Sequence, residues 1–235
     1  MNKRILAWLF FAVVPAVATV AQEVSPAAYY IKDDTEIEST SIDDGEAPLA
    51  VTFKANPSDM GEWTPSFEWH FKRQSGSNEW ERLLVRYEED TDYTFYESGT
   101  YNVVLKTTLV NGNDTVELDS VPILVSIAES RLEMPNGFSP NDDGINDIYR
   151  AKKDKYKSIV EFHAYIFNRW GQKLYEWTDI NSGWDGTHNG RDVPDGVYFV
   201  LVKAKGADGK DYNIRRDVNL LRGFTDKTGG GATGL

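Results

Sequence analysis

The stretch VYFVLVKAKGADGKDYNIRRDVNLL, residues 197–221, decides the fold of the second half of the chain. Its two arms are rich in β-branched and aromatic residues, and Val197, Phe199 and Leu201 share one face of a strand of period two. Asp208-Gly209 lies between the arms and is typical of a tight hairpin turn, because glycine adopts positive φ without steric cost. The stretch therefore predicts two antiparallel strands joined by a hairpin.

Other segments show the same alternation of apolar residues. It recurs at Val160, Phe162, Ala164 and Ile166, at Leu49, Val51 and Phe53, at Phe67, Trp69 and Phe71, and at Tyr101, Val103 and Leu105. Asn111-Gly112 predicts a second hairpin, and no segment has a long helical period. We therefore predict an all-β chain of two tandem immunoglobulin-like β-sandwiches, with Trp69 in the first core and about seven strands in the second.

The charge is unevenly distributed along the 235 residues. Residues 22–130 contain 7 basic and 22 acidic residues, whereas residues 131–235 contain 16 basic and 15 acidic ones. An acidic protein repels nucleic acid and anionic lipid, and neither is expected as a partner. With no cysteine and three histidines, disulfide scaffolds and thiolate metal sites are excluded.

Five segments are predicted from these patterns. Residues 1–21 combine a basic start, an apolar run and small residues, and they predict a cleaved Sec signal peptide. Residues 22–46 form an acidic linker or edge strand, residues 47–130 the first sandwich, and residues 131–222 the second. Residues 223–235 form a flexible glycine-rich tail. No later stretch has the length of apolar sequence needed to span a membrane.

Three motifs in the first sandwich carry a family resemblance: APLAVTF (47–53), FEWHF (67–71) and ESGTYNVVL (97–105). They resemble PKD-like and other immunoglobulin-like extracellular modules. The sequence departs from the PKD pattern after Trp69, where His70-Phe71-Lys72 replaces a glycine-aspartate turn, so another immunoglobulin-like subtype stays open. Such modules imply a spacer or binding role.

Four motifs in the second sandwich carry a more specific resemblance: MPNGFSPNDDGIND (134–147), YIFNRWGQKLYE (165–176), GWDGTHNGRDVPDGVYFV (183–200) and VNLLR (218–222). In this order they resemble the type B C-terminal sorting domain of the Bacteroidetes type IX secretion system, also called the gliding motility-associated C-terminal domain. The resemblance implies export through Sec and the type IX translocon, a fate at the outer membrane, at the cell surface or in the medium, and PorP/SprF-like outer-membrane partners. Family members usually end near the arginine matching Arg222, whereas 13 residues follow it here.

The segment SPNDDGIND is a candidate calcium loop. Side-chain oxygens of Ser139, Asn141, Asp143 and Asp147 and the carbonyl of Ile145 have the spacing of EF-hand ligands. Arg150 occupies the position of the bidentate glutamate, so the ligand set is incomplete. The alternative is a loop of Asx turns, in which these side chains bind local backbone N–H groups.

Two turns and the end of the last strand are candidate partner-binding sites. They comprise Asn168, Arg169, Trp170 and Gly171, then Trp184, Asp185 and Gly186, and finally Leu221 and Arg222. Tryptophan and arginine are common interface anchors. The alternative for the first turn is that Trp170 caps the sandwich and Arg169 lies over its ring as a cation–π pair.

Two further surface features have open interpretations. Trp63 and Trp80, in predicted loops, are candidate glycan contacts, whereas most other aromatic residues of the first sandwich should be core. Residues 152–157 include four lysines, which are suited to phosphates or to an acidic partner if they are not simply solvated.

The chain has no P-loop, dinucleotide fingerprint or nucleophile elbow, and we expect it to be a non-enzyme. The first hypothesis is a small surface accessory or component of type IX secretion or its signalling. The alternative is ordinary type IX cargo, a small adhesin or glycan-binding protein. The sequence predicts no certain cofactor beyond possible calcium, and it does not determine the oligomeric state.

Overall fold

The computed structural model describes residues 22–77 and 79–223. The predicted signal peptide, and the predicted tail beyond Gly223, lie outside the described residues. Among the described residues, no helix is both long and apolar enough to cross a membrane.

The first half of the chain is a sandwich of two antiparallel-rich sheets. Its strands are β1 (Glu23–Val24), β2 (Ala27–Lys32), β3 (Thr35–Ser39), β4 (Ser41–Gly45), β5 (Leu49–Lys54), β6 (Pro57–Ser58), β7 (Thr64–Ser75), β8 (Glu79–Arg86), β9 (Asp90–Phe95), β10 (Gly99–Asn111), β11 (Asp114–Asp119) and β12 (Ile123–Ile127). One sheet has the order β3-β2-β5-β9, and the other has the order β4-β12-β10-β7-β8 with β11 also paired to β10. The alternating apolar residues of β5, β7 and β10 meet between the sheets. Trp69 is fully buried there, as predicted, and its Nε1–H donates to the Glu89 carbonyl at 3.1 Å.

Residues 22–46 are strands rather than an extended linker. β2 is an inner strand between β3 and β5, while β3 and β4 lie at sheet edges, so the edge-strand alternative describes only part of the segment. Ala28 and Ile42 belong to the buried core. The few apolar residues of this acidic segment are spaced so that they reach the core, and the charged residues between them face solvent.

Both predicted hairpins are present. Asn111 pairs with Asp114 at the end of β10 and β11, and Gly112 has φ of 59° in the turn. In the second half, Gly209 has φ of 80° in the turn that joins β20 (Gly196–Gly206) to β21 (Asp211–Leu220). The hairpin prediction rests on residue chemistry that the turn itself requires.

The second half is built on one five-stranded sheet. Its remaining elements are β13 (Arg131–Leu132), β14 (Gly137–Phe138), a 3₁₀ turn (Lys153–Lys155), β15 (Tyr156–Lys157), β16 (Ile159–Phe167), β17 (Lys173–Trp177), β18 (Thr187–His188) and β19 (Arg191–Asp192). The sheet has the order β14-β21-β20-β16-β17. Connecting segments and the ribbon β13-β15 pack on its inner face, where Leu132, Tyr149 and Trp184 join the core, and β18-β19 forms a separate short ribbon. The all-β, sandwich-like class is therefore confirmed, but the second layer has fewer regular strands than the predicted seven-strand sandwich.

Strand β20 is apolar on both faces. Tyr198, Val200 and Val202 are buried against the second core. On the other face, Val197 is 48% exposed and Phe199 is 42% exposed. The alternation predicted for Val197, Phe199 and Leu201 therefore marks the outer face of the sheet.

The two halves of the chain share an interface. Ala207, in the β20–β21 turn, belongs to the buried core of the first half, and Val160 packs against the same core. The Ser98 N–H donates to the Ala207 carbonyl at 3.0 Å, and the Ala207 N–H donates to the Ser158 carbonyl at 2.9 Å. The Ala47 N–H also donates to Ser158 Oγ at 3.3 Å. The hairpin turn thus inserts into the end of the first sandwich.

Candidate partner-binding site

The turn that follows β16 presents a preorganised tryptophan. Asn168 Oδ1 accepts hydrogen bonds from the N–H groups of Trp170 and Gln172, both at 3.0 Å. The Gly171 N–H donates to the Asn168 carbonyl at 3.0 Å, and Gly171 has φ of 79°. Asparagine and glycine fit here because the turn needs a short side-chain acceptor and a left-handed residue.

Trp170 does not cap the sandwich. Its side chain is 83% exposed, and the Arg169 guanidinium carbon lies 6.0 Å from the centre of its ring. The predicted cation–π pair is therefore present, but on the surface. A large exposed aromatic group on a hydrogen-bonded turn is suited to binding, because the backbone that carries it is already ordered.

Trp184 is a core residue rather than a surface contact. It is fully buried, and its Nε1–H donates to the Thr187 carbonyl at 2.7 Å. Phe138 and Tyr198 pack on its ring. The adjacent Asp185 accepts from the N–H and the hydroxyl of Thr187, so its carboxylate closes the local turn. These contacts give the Trp-Asp-Gly motif a structural role.

Arg222 joins the end of the last strand to two loops, the one that precedes β18 and the one that precedes β20. Its guanidinium donates to the carbonyls of Val193 at 2.5 Å and Gly186 at 2.9 Å. It also forms an ion pair with Asp195 at 3.2 Å, and the Arg222 N–H donates to the same carboxylate. Leu221 is 48% exposed beside it. Most hydrogen-bonding capacity of Arg222 is therefore used within the chain, while Leu221 is accessible.

The SPNDDGIND loop directs its side-chain oxygens to its own backbone. Asp147 accepts from the N–H groups of Asn141, Asp142 and Gly144 at 2.8–3.0 Å. Asp143 Oδ1 accepts from the Ile145 N–H at 2.9 Å, and Ser139 Oγ lies 3.4 Å from the Ile145 carbonyl. These contacts are those of the Asx-turn alternative.

The electrostatics of Asp147 follow from the same contacts. Partial burial acts to raise its pKa, but the backbone N–H donors outweigh this effect and hold the pKa below its ordinary value. Within the described ranges, no group of three or more His, Cys, Asp or Glu side chains is arranged to hold a metal. Calcium would have to compete with the backbone donors for these oxygens.

The two candidate glycan contacts lie far apart. Trp63 is half-buried immediately before β7, in a turn closed by its N–H to the Met60 carbonyl at 2.9 Å. Trp80 lies in strand β8 rather than in a loop, is 39% exposed, and pairs with Gln74 near the other end of β7. A strand rises about 3.3 Å per residue, so the two rings cannot form one binding platform.

The lysine cluster contacts acidic residues of the first half. Lys153 Nζ lies 2.5 Å from Asp33, and Lys157 Nζ lies 2.6 Å from Asp44. The acidic partner considered for these lysines is therefore within the chain. The hydrogen bond from Lys153 lowers the pKa of Asp33, and that from Lys157 lowers the pKa of Asp44.

The structure adds Tyr165 and Phe167, two half-buried residues that the sequence patterns did not indicate, beside the outer-face residues of β20. Phe167 pairs with Phe199 across β16 and β20, and Tyr165 pairs with Leu201, all on the outer face of the five-stranded sheet. The sequence did contain one indication of this face. Residues 197–202 are all apolar, whereas a strand with only one buried face alternates apolar and polar residues.

Comparison with known families identifies the second half. Residues 132–214 match the model of the CHU_C Type IX secretion signal domain. This part of the chain is therefore a type IX secretion signal domain, as the motifs predicted, and such a domain indicates export with a fate at the surface or in the medium. No curated protein matches the chain in sequence.

Solved structures show only distant similarity. Dimeric latent PorU from Porphyromonas gingivalis is 11% identical with a TM-score of 0.26, over 85% of this chain and 20% of PorU. The mixed-linkage glucan utilisation protein SGBP-B of Bacteroides ovatus is 13% identical with a TM-score of 0.24, over 76% and 42%. The chicken CNTN1 FN1–FN3 domains are 13% identical with a TM-score of 0.26, over 79% and 68%. The chain thus spans a fifth of PorU.

Proposed function

Given that residues 132–214 are a type IX secretion signal domain, we propose that the chain is a non-catalytic accessory of the secretion or signalling system. Its C-terminal domain engages the type IX machinery and outer-membrane partners, with PorP/SprF-like proteins as the expected anchors. Residues 1–21 direct export through Sec. The acidic first half faces a different partner.

The observation that carries this proposal is the interface between the two halves. A sorting domain that is removed after export needs no packing against its cargo. Here Ala207 and Val160 of the second half pack into the core of the first half. Cleavage would uncover this apolar surface and would leave the Ser98 N–H without the Ala207 carbonyl. The packing supports a sorting domain that stays attached.

The exposed turn supports binding as its mode of action. Trp170 and Arg169 are the residue types that dominate protein interfaces, and the turn holds Trp170 in solvent.

Affinity purification from detergent-solubilised outer membrane tests the proposal. We expect the full chain to recover an outer-membrane protein in near-equal amounts, and deletion of the gene to block export of unrelated type IX cargo. Recovery of the protein alone, together with intact export in the deletion strain, would contradict it. A Trp170→Ala variant expressed at the same level shows whether recovery of the outer-membrane protein depends on the turn.

The alternative is ordinary cargo that binds glycans. Its supporting observation is the aromatic surface around β8, where Trp80 is 39% exposed and the following Tyr87 is 68% exposed. Glycan-array binding that is lost in Trp80→Ala but kept in Trp63→Ala would favour this function.

A further inference from the structure

An apolar stripe crosses the outer face of the five-stranded sheet. We define it as Tyr165 and Phe167 on β16 with Val197, Phe199 and Leu201 on β20. Phe199 and Val197 are 42% and 48% exposed, and the other three are half-buried. Connecting segments and the ribbon β13-β15 pack on the opposite face of this sheet.

The stripe continues into other exposed features. A groove of about 440 Å³ runs beside it, between Phe167 and Phe199 on one side and Arg215 and Asp217 on β21. The turn bearing Trp170 directly follows Phe167. Contiguous apolar patches of this kind on exported proteins mark interaction sites.

The charges around the stripe indicate its occupant. Lys203 and Arg215 flank Leu201 on this face, and Arg169 lies in the turn that follows Phe167. None of the three forms an ion pair with another described residue. Lys173 and Glu176, which flank Tyr165, pair with each other. Asp217 is the one carboxylate lining the groove. The described residues that form the rim of the stripe therefore include more unpaired cations than carboxylates, in contrast to the acidic first half, and this excess complements a surface that carries carboxylates.

Two other occupants are disfavoured by the same charges. An anionic membrane would attract the rim but repel the acidic first half that is packed against this domain. A second copy in a two-fold face-to-face pair would bring two cationic rims together.

We propose that the apolar stripe and Trp170 form one docking surface for a protein that presents an apolar patch bordered by carboxylates. This inference rests on the proposed function and names its contact surface. Trp170 and Phe199 supply the buried anchors, and the cationic rim sets orientation and the rate of association.

The test uses the full chain and the outer-membrane protein that copurifies with it, purified in detergent. Trp170→Ala and Phe199→Ser should each weaken binding at least about tenfold, as expected of anchor residues. Tyr87→Ala is the matched control, because it removes a 68% exposed aromatic side chain from the first sandwich, and its affinity should stay within about twofold of the wild type. Equal melting temperatures of the variants separate lost contact from lost folding.

A charge reversal tests the chemistry of the partner. Arg215→Glu should weaken binding several-fold and reduce its dependence on salt, whereas Arg82→Glu on the first sandwich should not. Unchanged affinity in Arg215→Glu would overturn the carboxylate-bordered partner.

Other outcomes separate the inference from the proposed function. If the wild type binds and all stripe variants bind equally well, the docking surface is wrong while the function stands. If no outer-membrane protein is recovered, both fail. Binding to protein-free anionic vesicles that Phe199→Ser abolishes would assign the stripe to membrane, and concentration-dependent dimerisation that Phe199→Ser abolishes would assign it to a second copy. Either result overturns the inference.

Discussion

At the scale of single residues, Asp147 organises the loop between β14 and the 3₁₀ turn. Its carboxylate accepts hydrogen bonds from three backbone N–H groups. These groups lie outside the sheets and need another acceptor. The density of Asn, Asp and Gly in the sequence predicted a tight loop, but it fitted both a cation site and Asx turns. The distinction depends on where each oxygen points, which residue spacing does not specify.

Asp147→Asn should lower the melting temperature, because an amide NH₂ would face backbone N–H donors. The contribution of Asp147 is present above the ordinary pKa of aspartate and is lost as the pH falls through the lowered folded-state pKa. Thermal melts between pH 7 and pH 3 measure this. Asp142→Asn is the control, since asparagine tolerates the φ of 62° at that position. An equal melting temperature for Asp147→Asn and the wild type would contradict the assignment, and calcium titration of both proteins reports whether the same oxygens bind the ion.

Truncation of two tryptophans in the second half should change the free energy of unfolding by very different amounts. Trp184→Ala removes a fully buried ring and should lower the free energy of unfolding by about 3–5 kcal/mol. Trp170→Ala removes an 83% exposed ring and should change it by less than about 0.5 kcal/mol. Urea denaturation of both variants measures the difference, and comparable losses would show that Trp170 has a packing role.

At the scale of strands and turns, the period-two pattern predicted most of the sheets because alternate side chains of a strand face one core. The pattern did not indicate which face of β20 is buried, because Tyr198, Val200 and Val202 are as apolar as the residues between them. It also failed to predict the ribbons β13-β15 and β18-β19, which have only two residues per strand. Strands of two residues are too short to show an alternating pattern in the sequence.

Arg222→Ala should loosen the end of β21 together with the loops before β18 and β20, because one guanidinium bonds the carbonyls of Gly186 and Val193. We expect a loss of about 1–3 kcal/mol in the free energy of unfolding, as for a hydrogen-bonded charge that is removed from a partly buried site. Hydrogen exchange should accelerate at the end of β21 and in both loops. Arg215→Ala, which removes a cation without such bonds, is the control, and equal exchange in the two variants would contradict the clamp.

At the scale of the whole molecule, the charge difference between the halves was evident in the sequence, but its consequence was not. The lysines of residues 152–157 and the acids of residues 33–46 are more than 100 positions apart, and only the fold brings them into contact. The same holds for Ala207, whose burial depends on where the hairpin turn meets the first sandwich.

Lys157→Asp should weaken the contact between the halves by placing two carboxylates together, and the double variant Asp44→Lys, Lys157→Asp should restore it. Small-angle X-ray scattering and limited proteolysis near residue 130 measure the separation. Because pairing lowers the pKa values of Asp33 and Asp44, the contacts should persist at neutral pH and weaken only in acid, as the pH falls through those lowered values. Failure of the double variant to recover would show that this pair does not join the halves.

The most direct test of the central claim is the intact mass of the mature protein isolated from the outer membrane or the culture medium. A sorting domain that is packed into its cargo as a lasting interaction module should remain attached, so the mass should correspond to a chain that extends through Arg222. A mature protein that ends near residue 130 would show that the domain is removed after export, and would contradict the account.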